Sequence, residues 1–468
     1  MKKYTTIALM AASFAAVACK DSTVVRPVDA PTVEAVSGAL TRASLQPLAT
    51  GVLAQDRAAV QGTPTFLVLS QILGRTFYRI DTSEPRYVSE TLGGNPDPGS
   101  FAGGGGFSQF YTAIRAANNL QLALPSASAT ELTTAQKSAM NGFLRTMKAL
   151  DYLRLIELRD TVGIPIQTDN PDEVTPVRCK EAVQAMISAV LDSGLTDLQA
   201  AGSISFPFVL PSGFTTHGRN YSTVANFILF NRAIKGKLEV ERAINRKAPS
   251  TASATAAVTA LTTALGAGPG AVPASHFSWG PYYHFVAAGT EATANPISDR
   301  NIGLNPLVKD SIQAGDTRAS KIVSRTTLSG GGISTSITCA LCTASTANQE
   351  SPLGILRDEE LVLLRAQAYI ELGQLANAAA DINSVRTTYG LAPIATPTTK
   401  RQAIDAVLYE KTYSLLGEGP QRLIDLREYG LLGARRKEVS TDPFNAAFPL
   451  SRGELNARGL TVNPACTA

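Results

Sequence analysis

Between Ala366 and Val385 the chain places two small residues, Ala366 and Ala378, where a pair of helices would touch, and a glycine, Gly373, where the turn between them would fall. Larger apolar residues, Tyr369, Leu372, Ile382 and Val385, occupy the outer flank. A hairpin of two short antiparallel helices fits this spacing. One such hairpin cannot bury its own apolar face, so others must stack on it. That requirement constrains the whole chain to a helical repeat architecture.

The offsets are those of a tetratricopeptide hairpin, and other segments supply its neighbours. Tyr111 to Ala123 and Ala135 to Leu158 repeat apolar residues near every 3.6 positions, as do Thr223 to Arg246 and its partner Ala252 to Leu265. A last pair begins near Arg401 with Ile404, Val407, Leu408 and Leu415. The expected fold is therefore all-α in the main, with about four tetratricopeptide-like helical hairpins, long loop-rich insertions and few short strands. The insertions are Gly93 to Gly106 and Gly266 to about Pro352. Connections of that length commonly carry function.

The first eighteen residues have the order of an export signal: Lys2 and Lys3, an apolar run from Ile7 to Val17, then Ala18 ahead of Cys19. This order resembles a lipoprotein signal, in which Cys19 becomes the lipidated first residue. Residues 1–18 are then signal peptide, 19–50 the lipidated cysteine and a flexible Pro-punctuated tether, and 51–468 one helical domain. No later segment offers the ~20 consecutive apolar residues of a spanning helix, so membrane attachment would be through lipid.

Charge points to no nucleic acid, since 42 basic and 38 acidic residues leave only +4. Cys339-Ala-Leu-Cys342 favours a local disulfide, with free thiols or half of a metal or redox site as alternatives. A second such pair is absent from the sequence, and His217, His276 and His284 stand at no ligand spacing. Gly103 to Gly106 lacks the Lys-Ser/Thr that follows a phosphate loop.

Several short segments, taken in order, carry a further pattern. The early residues are Tyr111, Ile114 and Asn118, then Ala149-Leu150, Tyr152-Leu153 and Leu155 running into Val162-Gly163 and Pro165. The later ones are Leu361, Leu364 to Ala366 and Ala368-Tyr369, then Ile382-Asn383 and Val385-Arg386. Tyr409 to Lys411, Glu418-Gly419, Arg422, Asp425 to Arg427 and Phe448 to Leu450 close the pattern. This order of segments resembles the SusD/RagB family of outer-membrane lipoproteins. Ser414 departs from the family pattern, standing where such proteins carry a glutamate.

The resemblance implies a SusD-like, cell-surface protein of the outer membrane that captures oligosaccharide or polysaccharide for a TonB-dependent (SusC-like) transporter. A peptide ligand, or a scaffold role with no small ligand, are the alternatives. In such proteins the contacts come from the loop after the first helices and from the later insertion. The ligand-binding expectation therefore falls on Tyr78 and Tyr87 in the first and on Trp279, Tyr282 and Tyr283 in the second. The competing reading of the cluster from His276 to Phe285 is an aromatic minicore under a long loop. Glu410, Glu418, Arg422, Asp425 and Arg427 read as an ion-pair network fixing the last helix. Glycosidase chemistry would need two such acids across a sugar, but the resemblance makes these positions structural. No catalysis, cofactor or metal is expected. Asp169-Asn170 with Asp172-Glu173 has the oxygen ligands for Ca2+, yet reads more simply as a solvated acidic loop.

Overall fold

The computed structural model describes residues 39–61, 66–101, 106–170, 172–288, 293–435 and 437–468. Cys19 and the export signal lie outside the described residues, as do Gly103 to Gly105.

Helix α1 spans Arg42–Gln61 and buries Leu45, Ala49, Val52 and Val60 on one stripe, which packs against α3 (Phe107–Ala123). The tether expected as far as residue 50 is therefore shorter. Pro47 lies inside α1 and leaves one backbone bond unmade, which is why the stretch read as loop. Helix α2 (Phe66–Leu73) is buried at every position. Helix α4 (Thr134–Arg159) starts at a capping box, Thr133 with Gln136, and pairs with α3 as the first expected hairpin.

Helix α5 (Lys180–Ala201) has no counterpart among the expected elements. It packs between α4 and α6 (Val224–Ala243), burying Val183, Ile187, Leu191 and Leu198. The α4–α5 approach depends on glycine. A Cβ on Gly142 would stand 2.5 Å from Leu198 Cγ and 2.9 Å from the Gly194 carbonyl. Likewise, a Cβ on Gly236 of α6 would meet Leu261 of α7 (Thr251–Leu265) at 2.4 Å.

Helices α8 (Asp358–Glu371) and α9 (Leu375–Thr388) form the hairpin from which the repeat was read. Ala366 and Ala378 are completely buried, and Gly373 makes the turn at φ +70°, a conformation a side chain disfavours. Helix α10 (Lys400–Ser414) opens on a second capping box, Thr399 with Gln402, and is followed by α11 (Gln421–Glu428) and the short α12 (Arg452–Ala457). Contacts run from α1 through α3, α4, α5, α6 and α7 to α8, which then holds both α9 and α10. The fold is thus mainly helical and solenoid-like, with α1 and α5 added to the four expected hairpins.

Among the described residues, eight short strands accompany the helices: β1 (Phe77–Arg79), β2 (Ile164–Pro165), β3 (Val177–Arg178), β4 (Tyr282–Tyr283), β5 (Ile302–Leu304), β6 (Ile322–Gly330), β7 (Ile333–Cys339) and β8 (Leu353–Gly354). They pair as two-stranded antiparallel ribbons, β1 with β5, β2 with β3, β4 with β8 and β6 with β7. The β6–β7 turn is Gly331-Gly332, both at positive φ, which matches the twist of a tight hairpin. Cys339 and Cys342 are joined just past β7, and Cys179 is joined to Cys466 across 287 residues.

Most of the acidic and basic residues assigned to the last helices are paired and buried. Glu410 takes Arg318 at 2.7 Å and Arg386 at 2.8 Å, Glu418 takes Arg357 at 2.6 Å, and Asp425 takes Lys411 at 2.8 Å. Arg427 lies 3.0 Å from Glu428 and 3.4 Å from Asp160. Ser414 accepts from Arg318 at 2.9 Å. Arg422 is the exception to the expected network. Its Nη1 donates to the Thr412 hydroxyl at 2.5 Å, and among the described residues no carboxylate lies within ion-pair distance of it.

Candidate functional site

Strand alternation decides the fate of the aromatic segment. In β4, Tyr283 turns inward and is 5% exposed, its hydroxyl donating to Asp56 at 2.6 Å, while Tyr282 turns toward the surface and stacks on His217 at 4.0 Å. Burial pushes the Tyr282 hydroxyl up to about 12. Phe277 and Phe285 are buried.

Trp279 is half-buried and lies parallel to His276, with ring centres 3.4 Å apart. Gly218 sits against its pyrrole ring so closely that a Cβ there would fall 2.1 Å from two ring atoms. The imidazole and the glycine backbone both pack against the indole. The Arg219 guanidinium lies 5.1 Å from the ring and is held by Asp358 at 2.7 and 2.8 Å. Trp279 is therefore partly covered, and Tyr78 and Tyr87 are covered more fully. Tyr78 is 4% exposed with its hydroxyl on Glu438; Tyr87 is also 4% exposed, packed on Phe101 at 4.4 Å and beneath Arg79 at 3.8 Å. Tyr78, Tyr87 and Tyr283 are core residues, because their rings supply the apolar area that short ribbons lack.

The fold does bring together two of the three histidines, His217 and His284, which sequence spacing left apart. His217 Nε2 and His284 Nε2 are 2.7 Å apart, and Ser212 meets the other nitrogen of His284 at 3.0 Å. Burial, then the neighbouring His284, lowers the pKa of His217; burial lowers that of His284. Two imidazoles are one or two ligands short of a transition-metal site, and among the described residues no group of three metal-ligating side chains forms.

Another concavity lies elsewhere. A groove of about 670 Å³ runs between α1 and α3, closed by Pro165, Gln167, residues 172–175 and α12. Its apolar wall is Leu48 and the ring of Tyr111, while Gln55, Asn119, Arg115 and Glu454 bring polar groups to it. Tyr111 is fixed by donating to the Pro165 carbonyl at 2.7 Å. Arg115 ties α3 to the loop through the carbonyls of Thr168 and Asp169, at 3.2 and 3.4 Å. Glu454 and Arg458 pair at 2.5 Å on the far side. Gly51 of α1 opens onto empty space, with nothing within 4 Å of where its Cβ would stand. A volume in this range, with one apolar wall and a few convergent polar groups, is the usual form of a small-molecule site. The acidic loop contributes Asp172 and Glu173 to the groove, and Glu173 accepts from Thr168 at 2.6 Å. Reading by sequence missed the groove because the first half of α1, up to residue 50, was taken for tether; its one legible trace was Tyr111, Arg115 and Asn119 recurring every fourth residue along α3.

The fold is a stack of helical hairpins with a mixed polar and apolar groove on one side. Residues 336–446 match the sequence model of the SusD family. Solved structures share the fold. A SusD superfamily protein from Bacteroides vulgatus superposes with a TM-score of 0.65 at 14% identity, over 92% of this chain and 99% of that one. A laminarin binding SusD-like protein gives 0.67 at 16%, over 89% and 98%. Surface glycan-binding protein A from Bacteroides uniformis gives 0.63 at 15%, over 92% and 99%. No curated protein sequence matches the chain. The chain is thus SusD-like, by sequence over residues 336–446 and by fold over nearly its whole length.

Proposed function

We propose that the protein is a glycan-binding receptor, tethered to the outer membrane at the cell exterior through lipidated Cys19, that captures oligosaccharide and delivers it to a TonB-dependent transporter. The observation that carries the binding reading is the α1–α3 groove. Its wall of Leu48 and Tyr111 suits the C–H faces of a sugar, and Gln55, Asn119, Arg115 and Glu454 suit its hydroxyls. Two of the similar solved structures are named for binding laminarin and surface glycan, which supports the same class of ligand. The export signal and Cys19 support the anchor, and no described helix is long and apolar enough to cross a membrane. The family resemblance supports the transporter as partner.

Gly51→Phe tests the groove. The added ring enters space now empty, so the fold should persist while titration calorimetry against a panel of oligosaccharides, laminarin included, loses its signal. Undiminished binding by this variant would place the ligand elsewhere. If the native protein binds peptides and no glycan, the peptide reading replaces this one. For the anchor, Cys19→Ser should move the protein from the membrane to the soluble fraction.

A further inference from the structure

A second cavity, of about 410 Å³, lies between the turn Pro306–Asp310 and helices α10 and α11. Four arginines line it, Arg75, Arg401, Arg422 and Arg435, against two carboxylates, Asp405 and Glu438. The carboxylates are already engaged. Asp405 holds Arg401 at 2.9 Å; Glu438 accepts from the Asn305 amide at 2.8 Å and from the Tyr78 hydroxyl. Arg75 has its carboxylate in Asp442 at 2.7 Å, although its Nε and Nη1 are buried with no hydrogen-bond partner. Asp425, near Arg422, is taken by Lys411.

Arg422 and Arg435 are left with no carboxylate. Arg422 spends one nitrogen on the Thr412 hydroxyl, and its Nε is buried without a partner. Arg435 is half-buried, and its guanidinium makes no hydrogen bond or ion pair among the described residues. Burial and then the neighbouring charge of Arg435 pull the pKa of Arg422 down to about 10; burial and then Arg401 lower that of Arg435. Desolvated guanidinium groups that line one cavity without a carboxylate partner are costly, and a planar fork of N–H donors matches the oxygens of a carboxylate, sulfate or phosphate.

We propose that this cavity is an anion site, separate from the α1–α3 groove, in which Arg422 and Arg435 hold an oxyanion group of a small ligand. The group is either a free inorganic anion or the acidic substituent of a sugar, and the test separates these. Thermal melts and titration calorimetry of the purified protein are run with sodium sulfate, sodium glucuronate and glucose, each at ionic strength matched with sodium chloride. Sulfate should raise the melting temperature above the chloride control. Arg435→Gln should weaken the sulfate response about tenfold or more, the loss of one or two charge-assisted hydrogen bonds, and should melt in chloride no lower than the native protein because a like charge is removed. Arg86→Gln, at an exposed arginine elsewhere, should leave the response intact. Glucuronate binding more tightly than sulfate, with glucose inert, assigns an acidic sugar; equal binding of the two assigns the free anion. An identical response to sulfate and chloride without glucuronate binding, or a response that survives Arg435→Gln or falls equally in Arg86→Gln, would overturn the site. Gly51→Phe should leave it unaffected, so failure of the groove reading and failure of this one are distinguishable.

Discussion

His217 and His284 face one another through their Nε2 atoms at 2.7 Å, so one ring must donate and the other accept. Protonating both would set two N–H groups against each other. Both pKa values are lowered in the fold, so the unfolded chain binds the proton more readily, and the stability this pair contributes is lost as pH falls through the ordinary histidine value of about 6.5. Melting temperatures between pH 7.5 and pH 5 should fall for the native protein and fall less for His217→Gln. Parallel pH profiles would mean that the pair carries no acid sensitivity.

Ala378 is completely buried where α9 meets α8. Ala378→Leu should overpack this contact and cost about 1–3 kcal/mol, read as a shift in the denaturation midpoint.

Asp151 is fully buried beside Asp56, with no hydrogen bond to either carboxylate oxygen from the described residues, and burial followed by the Asp56 charge holds its pKa well above the ordinary range. A group whose pKa is raised by folding contributes stability while protonated and loses it as pH rises toward the folded value. Asp151→Asn should therefore be more stable than the native protein at pH 7, by on the order of 1 kcal/mol or more, with the gap closing as pH falls toward 4. Chemical denaturation at both pH values checks the sign.

Trp279→Ala should remove packing against His276 and Gly218 and destabilise by roughly 3 kcal/mol, while oligosaccharide binding at the groove persists in the folded fraction. Loss of binding with an unchanged melt would return the ring to the ligand site.

The disulfides should differ in weight. Cys179–Cys466 spans 287 residues and Cys339–Cys342 spans three. Replacing the first pair with serine should cost about 2–5 kcal/mol and the second distinctly less, because the longer loop frees more of the unfolded chain.

The residues alone determined the repeat architecture. Ala366, Gly373 and Ala378 demand close helix contact and a left-handed turn, and those demands are local, set by side-chain size and backbone freedom within some twenty positions. Paired charges such as Glu410 and Asp425 were legible for the same reason, since a buried helix end with so many charges must compensate them. Helix α5 was within reach too, at Val183, Ile187 and Leu191, but Ser193, Gly194 and Thr196 beyond them diluted the pattern. What only the tertiary structure decided was which side chains face solvent and which meet across distance. Tyr282 and Tyr283 are neighbours in sequence, yet the pairing of β4 with β8 sends one outward and the other onto Asp56. Exposure of an aromatic ring depends on what packs over it, and for Trp279 that is Gly218, sixty-one positions earlier. The groove between α1 and α3, and the cavity that leaves Arg422 without a carboxylate, are likewise properties of helix placement: they arise where surfaces distant in the chain fail to close on each other, and no local pattern encodes that gap.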